Sequence, residues 1–78
     1  MSYINNMENE NYIMAVQRTV EIRNNYGGAE LARKLGISHA AVSKWKVIPP
    51  FRAYQIAQLG DYKLEYISPD IKFGVGPQ

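Results

Sequence analysis

The fold of this 78-residue chain is decided by the stretch GAELARKLGISHAAVSKWK, which occupies residues 28–46. Its apolar residues recur at the spacings that two helices crossing steeply at a short turn require. Ala32 is small where the two helices approach each other, and Gly36 turns the chain where a side chain would strain the backbone. The other apolar members fill the wedge between the helices: Leu31, Leu35, Ile37, Val42 and Trp45. The stretch predicts a helix-turn-helix unit.

The two helices of this unit have boundaries that can be read from the sequence. The first is predicted over residues 29–35, closed by Gly36, because glycine tolerates the left-handed conformation that ends helices. Ser38 is a good N-cap for the second, which is predicted to continue to about residue 46. The Pro-Pro pair at residues 49–50 forbids further continuation and favours the start of a new helix.

Further helices are predicted on both sides of the unit. From Tyr12, apolar spacings of three and four predict a helix that ends at the Asn and Gly residues of 24–28. We expect Ile13, Val16 and Val20, and less regularly Tyr12 and Ile22, to face the core in that helix, with Arg18 and Arg23 on the other side. Later in the chain we expect a helix over 51–59 and a short helical turn beyond Gly60. The fold class is therefore all-α, a small helix-turn-helix bundle of four to five short helices.

The chain has room for one domain, with a thin core. We expect residues 1–10 to form a flexible lead-in, residues 11–73 the helix-turn-helix domain, and residues 74–78 a frayed tail. The N-terminus does not resemble a signal peptide, and no apolar run approaches the length of a membrane span. These features predict a cytoplasmic protein with no membrane partner.

The composition argues against catalysis and metal binding. The chain has no cysteine and a single histidine, His39, so thiolate and His-based metal sites are not expected. Its acidic residues are scattered, and so short a chain encloses no substrate pocket. We expect no enzyme activity, no cofactor and no small-molecule substrate. The net charge is only +2, but the positive charge is concentrated in the middle of the chain.

Part of the sequence also resembles a known protein family. The run AELARKLGISHAAVSKWK at residues 29–46, followed by IPPFRAYQIAQLG at 48–60, is similar to the Cro-type repressors of lambdoid phages and to YdaS-like regulators. The similarity extends over roughly residues 26–71. It implies a lambda repressor-like DNA-binding domain and a sequence-specific transcriptional regulator from a phage or prophage.

In this kind of motif the second helix enters the major groove, with its N-terminal residues at the base edges. Hydroxyl, imidazole, methyl and ammonium groups there can contact bases. The resemblance therefore assigns base readout to Ser38, His39, Ala40, Ser43 and Lys44. Phosphate contacts are expected from the backbone N–H groups of Gly28 and Ala29 and from the side chains of Lys46 and Arg52.

The expected partner is double-stranded operator DNA, bound by a homodimer. The C-terminal third has more apolar residues than so small a core can absorb, which predicts the dimer contact there: Tyr62, Leu64, Tyr66, Ile67, Ile71 and Phe73. The alternative is a helix-turn-helix module that docks on another protein, or an antitoxin-like regulator that binds both its operator and a toxin. Binding to polyanions with a salt dependence discriminates the first interpretation from a protein-docking module.

Overall fold

The computed structural model describes the backbone of residues 6–71 and the side chains of residues 10–71. This part of the chain forms five helices: α1 (Asn6–Tyr26), α2 (Gly28–Leu35), α3 (His39–Ser43), α4 (Pro50–Gln58) and α5 (Leu64–Ile67). No strand occurs between residues 6 and 71, so the all-α class is confirmed. No helix described here combines the length and the apolar character needed to cross a bilayer. The expected frayed tail, 74–78, lies outside the described residues.

Helix α1 is longer than the sequence predicted. It begins at Asn6 rather than near Tyr12, so residues 6–10 are helical although they were expected to be a flexible lead-in. A missing apolar period therefore did not mean a missing helix, since polar residues with good helix propensity extend a helix that is anchored further along. Gly27 ends α1 with a φ of 90°, and its N–H donates to the carbonyl of Arg23 at 2.8 Å.

The turn between α2 and α3 forms as the sequence predicted. Gly36 has the left-handed φ of 74°, and its N–H donates to the Arg33 carbonyl at 3.2 Å. The N–H of Ile37 then donates to the Ala32 carbonyl at 3.0 Å. At the start of α3, the N–H of Ala41 donates to Ser38 Oγ at 3.1 Å, so the predicted N-cap is confirmed.

Helix α3 is shorter than predicted, because it ends at Ser43 and not near residue 46. In a continued α-helix the Val42 carbonyl would accept the N–H of Lys46. It accepts instead the N–H of Trp45, at 3.2 Å, and a guanidinium N–H of Arg23, at 3.1 Å. The helix thus closes with a tight turn, and the chain then runs to the Pro-Pro pair that starts α4.

The core lies where α1, α2, α4 and α5 meet beneath α3. The apolar positions predicted for α2 and α3 are confirmed, with Ile37 and Trp45 half-buried at the edge. Ile48 from the α3–α4 connection is also fully buried. The buried core residues are Ile22, Leu31, Ala32, Leu35, Val42, Ile48, Ala53, Ile56 and Ile67.

The predicted inward face of α1 was wrong at Ile13 and Val20 and right at Ile22. Ile13 and Val20 are 51% and 44% exposed, whereas Ala15, Thr19 and Ile22 are buried. Both sets have helical spacing, so periodicity alone could not choose between them. The buried set contains a threonine whose hydroxyl is fully used. Thr19 Oγ1 donates to the Ala15 carbonyl at 2.8 Å and accepts the N–H of Ile48 at 3.1 Å.

The C-terminal third packs against α1. The predicted helical turn is confirmed as α5, and its Ile67 is fully buried. Tyr62 and Leu64 pack against the same core, so these three are not the surplus apolar surface that the sequence suggested for a dimer. Tyr66 stacks on Tyr62 with ring centroids 5.8 Å apart, and its hydroxyl donates to Glu21 at 2.7 Å. Phe73 lies outside the described residues.

Polar contacts reinforce the join between α1 and the α4–α5 connection. Tyr26 Oη donates to Asp61 Oδ2 at 2.6 Å, and Asn25 Nδ2 donates to Tyr62 Oη at 2.5 Å. Burial raises the pKa of Tyr26 above its usual range, and the hydrogen bond to Asp61 raises this pKa further. The C-terminal end of α1 is therefore fixed by side chains from far along the chain.

Candidate nucleic-acid interface

The outer face of α3 and its two ends carry the side chains that the sequence assigned to base contacts. Successive residues of a helix are about 100° apart, so His39, Ala40 and Ser43 share one side, with Lys44 at its edge. Val42 lies on a different side of the helix, about 160° from Ala40, and is fully buried. All five assigned residues are exposed: Ser38, His39, Ala40, Ser43 and Lys44. The structure therefore brings them together on one accessible surface.

Ser38 has two uses for its hydroxyl. Its oxygen already accepts the N–H of Ala41 as the cap of α3. The hydroxyl hydrogen is still able to donate, for example to N7 or O6 of guanine. The cap thus fixes the position of the hydroxyl and favours donation over acceptance towards a ligand.

The ring of His39 lies against the first residue of α2. A Cβ added at Gly28 would be 2.6 Å from Nε2 of His39 and 3.0 Å from its Cδ2. Gly28 therefore lets the imidazole approach the α2 backbone more closely than any other residue would. This contact joins a residue predicted to contact bases with a residue predicted to contact phosphate, and the sequence did not reveal it.

The N-terminus of α2 offers backbone N–H groups. The N–H groups of the first turn of a helix have no acceptor within the helix, and Gly28 and Ala29 occupy that turn. Gly27 at the N-cap position has no side chain with which to cap them, and no other side chain of the described residues does so. Together with the positive end of the helix dipole, this is a surface suited to an anion.

The sequence model of the family described as DNA-binding transcriptional regulator Cro matches residues 18–74. The chain belongs to the Cro family of DNA-binding transcriptional regulators. The match covers α2 to α5 and the last part of α1, and it confirms the resemblance drawn from the sequence. The family is one of regulators rather than of enzymes. No curated protein and no solved structure gives a significant match to the chain.

The basic residues of this Cro-family chain differ in how freely they can reach a ligand. Lys44 and Lys46 are exposed, at and just beyond the end of α3. Arg52 is half-buried on α4, where its Nη1 donates to Gln55 Oε1 at 2.7 Å. Its guanidinium carbon is 5.2 Å from the centre of the Phe51 ring. Lys44 and Lys46 can therefore reorient freely, whereas Arg52 is oriented along its own helix.

Two further cations on α2 are paired with a neighbouring carboxylate. Arg33 Nε donates to Glu30 Oε1 at 3.0 Å, and Lys34 Nζ lies 3.8 Å from Glu30 Oε2. The hydrogen bond from Arg33 lowers the pKa of Glu30. All three side chains are at least partly exposed, so these pairs add little to stability.

Sequence reasoning missed one residue that bears on the interface. Arg23 was expected to face solvent, but it is half-buried and its Nη1 donates to the carbonyls of Val42, at 3.1 Å, and Trp45, at 3.0 Å. Val42 lies in the last turn of α3, and Trp45 lies two residues beyond the end of that helix. The signal that could have found it is its place one turn after Thr19, at the border of the buried face. That signal is only visible once the correct face of α1 is known.

Proposed function

We propose that this Cro-family regulator binds two-fold symmetric operator DNA as a homodimer and reads the major groove with α3. The observation that carries the proposal is the surface of α3, on which five residues able to contact bases are exposed while Val42 is buried. A helix with such a polar outer face, held by the preceding helix, is the part of a helix-turn-helix unit that enters the groove. The regulator would act as a repressor of phage or prophage origin in the bacterial cytoplasm.

The side chains of α3 have distinct roles in this proposal. Ser38 donates to a base acceptor, and Lys44 donates to guanine O6 or N7. Ala40 contacts a thymine methyl group, and Ser43 donates to or accepts from a base edge. His39 lies nearest to α2 and reads the base adjacent to the phosphate that α2 contacts.

Phosphate contacts hold the reading helix in register. The N–H groups of Gly28 and Ala29 bind one phosphate at the positive end of α2. Lys46 binds a second phosphate beyond the other end of α3. Arg52 contributes a third contact from α4, and its hydrogen bond to Gln55 orients the guanidinium in the DNA-free protein.

Dimerisation follows from the small size of the reading surface. One helix as short as α3 covers only a few base pairs, which is too little for a specific site. Two copies related by a two-fold axis, with reading helices about 34 Å apart, would read successive major grooves on one face of the duplex. Apolar side chains that the core does not use, such as Phe51 and Tyr54 at 63% and 52% exposure, leave surface for contact between copies.

The test is selection of bound sequences from random duplex DNA at two salt concentrations, followed by affinity measurements on two lysine variants. Lys46→Ala should weaken binding to all DNA sequences and lower the slope of log affinity against log salt by about one unit. Lys44→Ala should instead relax the preference at one base pair, at a cost of about 1–3 kcal/mol on the operator. The matched control is Lys63→Ala, an exposed lysine on the α4–α5 connection, which should change neither quantity.

DNA reading, dimerisation and the role of Lys44 would each be contradicted by a different result. Enrichment of no sequence at either salt concentration would contradict DNA reading and favour the protein-interaction or antitoxin-like alternative. A monomer bound to the selected DNA in sedimentation experiments would contradict the homodimer. Unchanged base preference in Lys44→Ala would remove this residue from the reading surface.

A further inference from the structure

We propose that Arg23 is a positioning residue for DNA recognition, which fixes the rotation of α3 by binding the carbonyls at its C-terminal end. The inference rests on the proposed function, in which α3 reads the groove. Arg23 itself belongs to the last turn of α1, outside the helix-turn-helix unit. Its Nη1 donates to the carbonyls of Val42 and Trp45 at 3.1 and 3.0 Å.

Helix α3 needs an external anchor because it is so short. It has five residues, and a helix of that length has no stability of its own. It packs chiefly on α2 and buries one side chain, Val42, so side-chain packing leaves its rotation weakly determined. The Ser38 cap fixes the N-terminal end. Arg23 supplies the corresponding contact at the C-terminal end, where a cation is favoured by the helix dipole.

A second contact from α1 fixes the chain just after α3. The hydroxyl of Thr19, one turn before Arg23, accepts the buried N–H of Ile48 at 3.1 Å. Both contacts from α1 are made to backbone atoms. The exposed side chains of α3 can therefore vary without loss of the anchor, which separates the residues that position the helix from those that read DNA.

The position of Arg23 argues against a direct contact with phosphate. Its guanidinium is half-buried and engaged with two carbonyls. Its effect on DNA binding must then be indirect, through the orientation of α3.

The chain offers a matched control on the same helix. Arg18 is also half-buried, and its Nη1 donates to a backbone carbonyl, that of Tyr66, at 2.9 Å. Arg18→Met and Arg23→Met each remove one positive charge and its hydrogen bonding to backbone carbonyls. Arg18 contacts the carbonyl and ring of Tyr66, whereas Arg23 contacts the carbonyls of Val42 and Trp45, so only the second change removes a contact to the α3 segment. The sole tryptophan, Trp45, carries one of the two carbonyls and serves as a local fluorescence probe.

The experiment compares the affinity of each variant for the selected operator and for non-operator DNA, at a temperature at which circular dichroism shows all variants folded. Arg23→Met should lower the operator affinity about tenfold, the effect of losing a hydrogen bond to a charged group. Its affinity for non-operator DNA and the salt slope on that DNA should match those of Arg18→Met. The Trp45 emission should change in Arg23→Met and not in Arg18→Met. Arg23→Lys, which keeps the charge and a donor, should recover part of the operator affinity.

Results that contradict the positioning role of Arg23 differ from results that contradict the proposed function. The positioning role would be overturned if Arg23→Met and Arg18→Met lost operator and non-operator binding equally. It would also be overturned if Arg23→Met alone reduced the salt slope on non-operator DNA by one unit, since that reduction indicates a direct phosphate contact. If Arg23→Met does not fold, Arg23→Lys compared with Arg18→Lys carries the same test. A wild-type protein that selects no operator would instead overturn the proposed function, and the Trp45 signal would still report whether Arg23 holds α3.

Discussion

The α2–α3 unit and helix α1 are stabilised by interactions of very different range along the chain. In the unit, Gly36 turns the backbone and Ser38 caps α3, and the hydrogen bonds that form the turn and the cap join residues three to five apart along the chain. Helix α1 is fixed by partners far along the chain, since Thr19 bonds Ile48 and Arg18 bonds Tyr66. The comparison shows why a motif can be recognised locally while the helix that supports it cannot.

The largest expected effect separates the two faces of α1. Ile22→Ala should reduce the free energy of unfolding by about 2–5 kcal/mol, because Ile22 is fully buried and its truncation leaves a cavity. Ile13→Ala removes the same atoms from a side chain that is 51% exposed, and it should change stability by less than about 0.5 kcal/mol. Urea unfolding followed by circular dichroism measures both.

This pair of variants decides between the two periodic faces of α1. If Ile13→Ala were as destabilising as Ile22→Ala, the face predicted from hydrophobicity would be buried after all. The difference between α1 and the α2–α3 unit would then disappear. Leu31→Ala in α2 provides the reference, since Leu31 is fully buried in a helix whose face was predicted correctly.

The sequence was sufficient for the α2–α3 unit because its signals are local. A glycine turn, a serine cap and six apolar residues predicted its helices, and the exposed side of α3 followed from the burial of Val42. For α1, the main hydrophobic set at 13, 16 and 20 has helical spacing, and so does the buried set at 15, 19 and 22, of which only Ile22 was among the predicted residues. Choosing the second set requires knowing that the N–H of Ile48 needs the Thr19 hydroxyl.

Two features of the candidate site were out of reach for the same reason. The contact of His39 with Gly28 depends on the crossing of α2 and α3, which spacing alone does not define. The end of α3 at Ser43 coincides with a contact from Arg23, whose guanidinium donates to the Val42 carbonyl that a longer helix would use. Both features combine residues from different helices.

A smaller effect is expected from the hydroxyl of Thr19. Thr19→Val keeps the shape of the side chain but leaves the buried N–H of Ile48 without an acceptor, at a cost of about 1–3 kcal/mol. Thr19→Ser keeps the hydroxyl and loses a methyl group, so it should cost about 1 kcal/mol. Hydrogen exchange at the Ile48 amide should accelerate in Thr19→Val only. Equal exchange rates in the two variants would show that this hydrogen bond does not anchor the α3–α4 connection.

The smallest effect on stability is expected at Gly28, where the α2–α3 unit carries a contact that the sequence did not predict. A Cβ at this position meets the far end of the exposed His39 side chain, and that ring can swing away. Since Ala has a helix propensity up to about 1 kcal/mol better than Gly, Gly28→Ala should leave stability unchanged or slightly raised. Gly36→Ala is the contrast, because its φ of 74° makes a side chain cost about 1–2 kcal/mol.

Gly28→Ala should affect DNA binding more than it affects stability. Gly28→Ala displaces His39 and crowds the N–H groups at the start of α2, so it should alter operator preference in a protein that is fully folded. His39→Ala should alter the same base pair. The double variant should change that base preference little more than His39→Ala alone, because both changes act on it through the position of one ring. Operator selection with the three variants measures this. An unchanged operator preference in Gly28→Ala would show that the packing of His39 on α2 has no part in recognition. A loss of more than about 1 kcal/mol in the stability of Gly28→Ala would show that other contacts besides Gly28 hold the His39 ring in place.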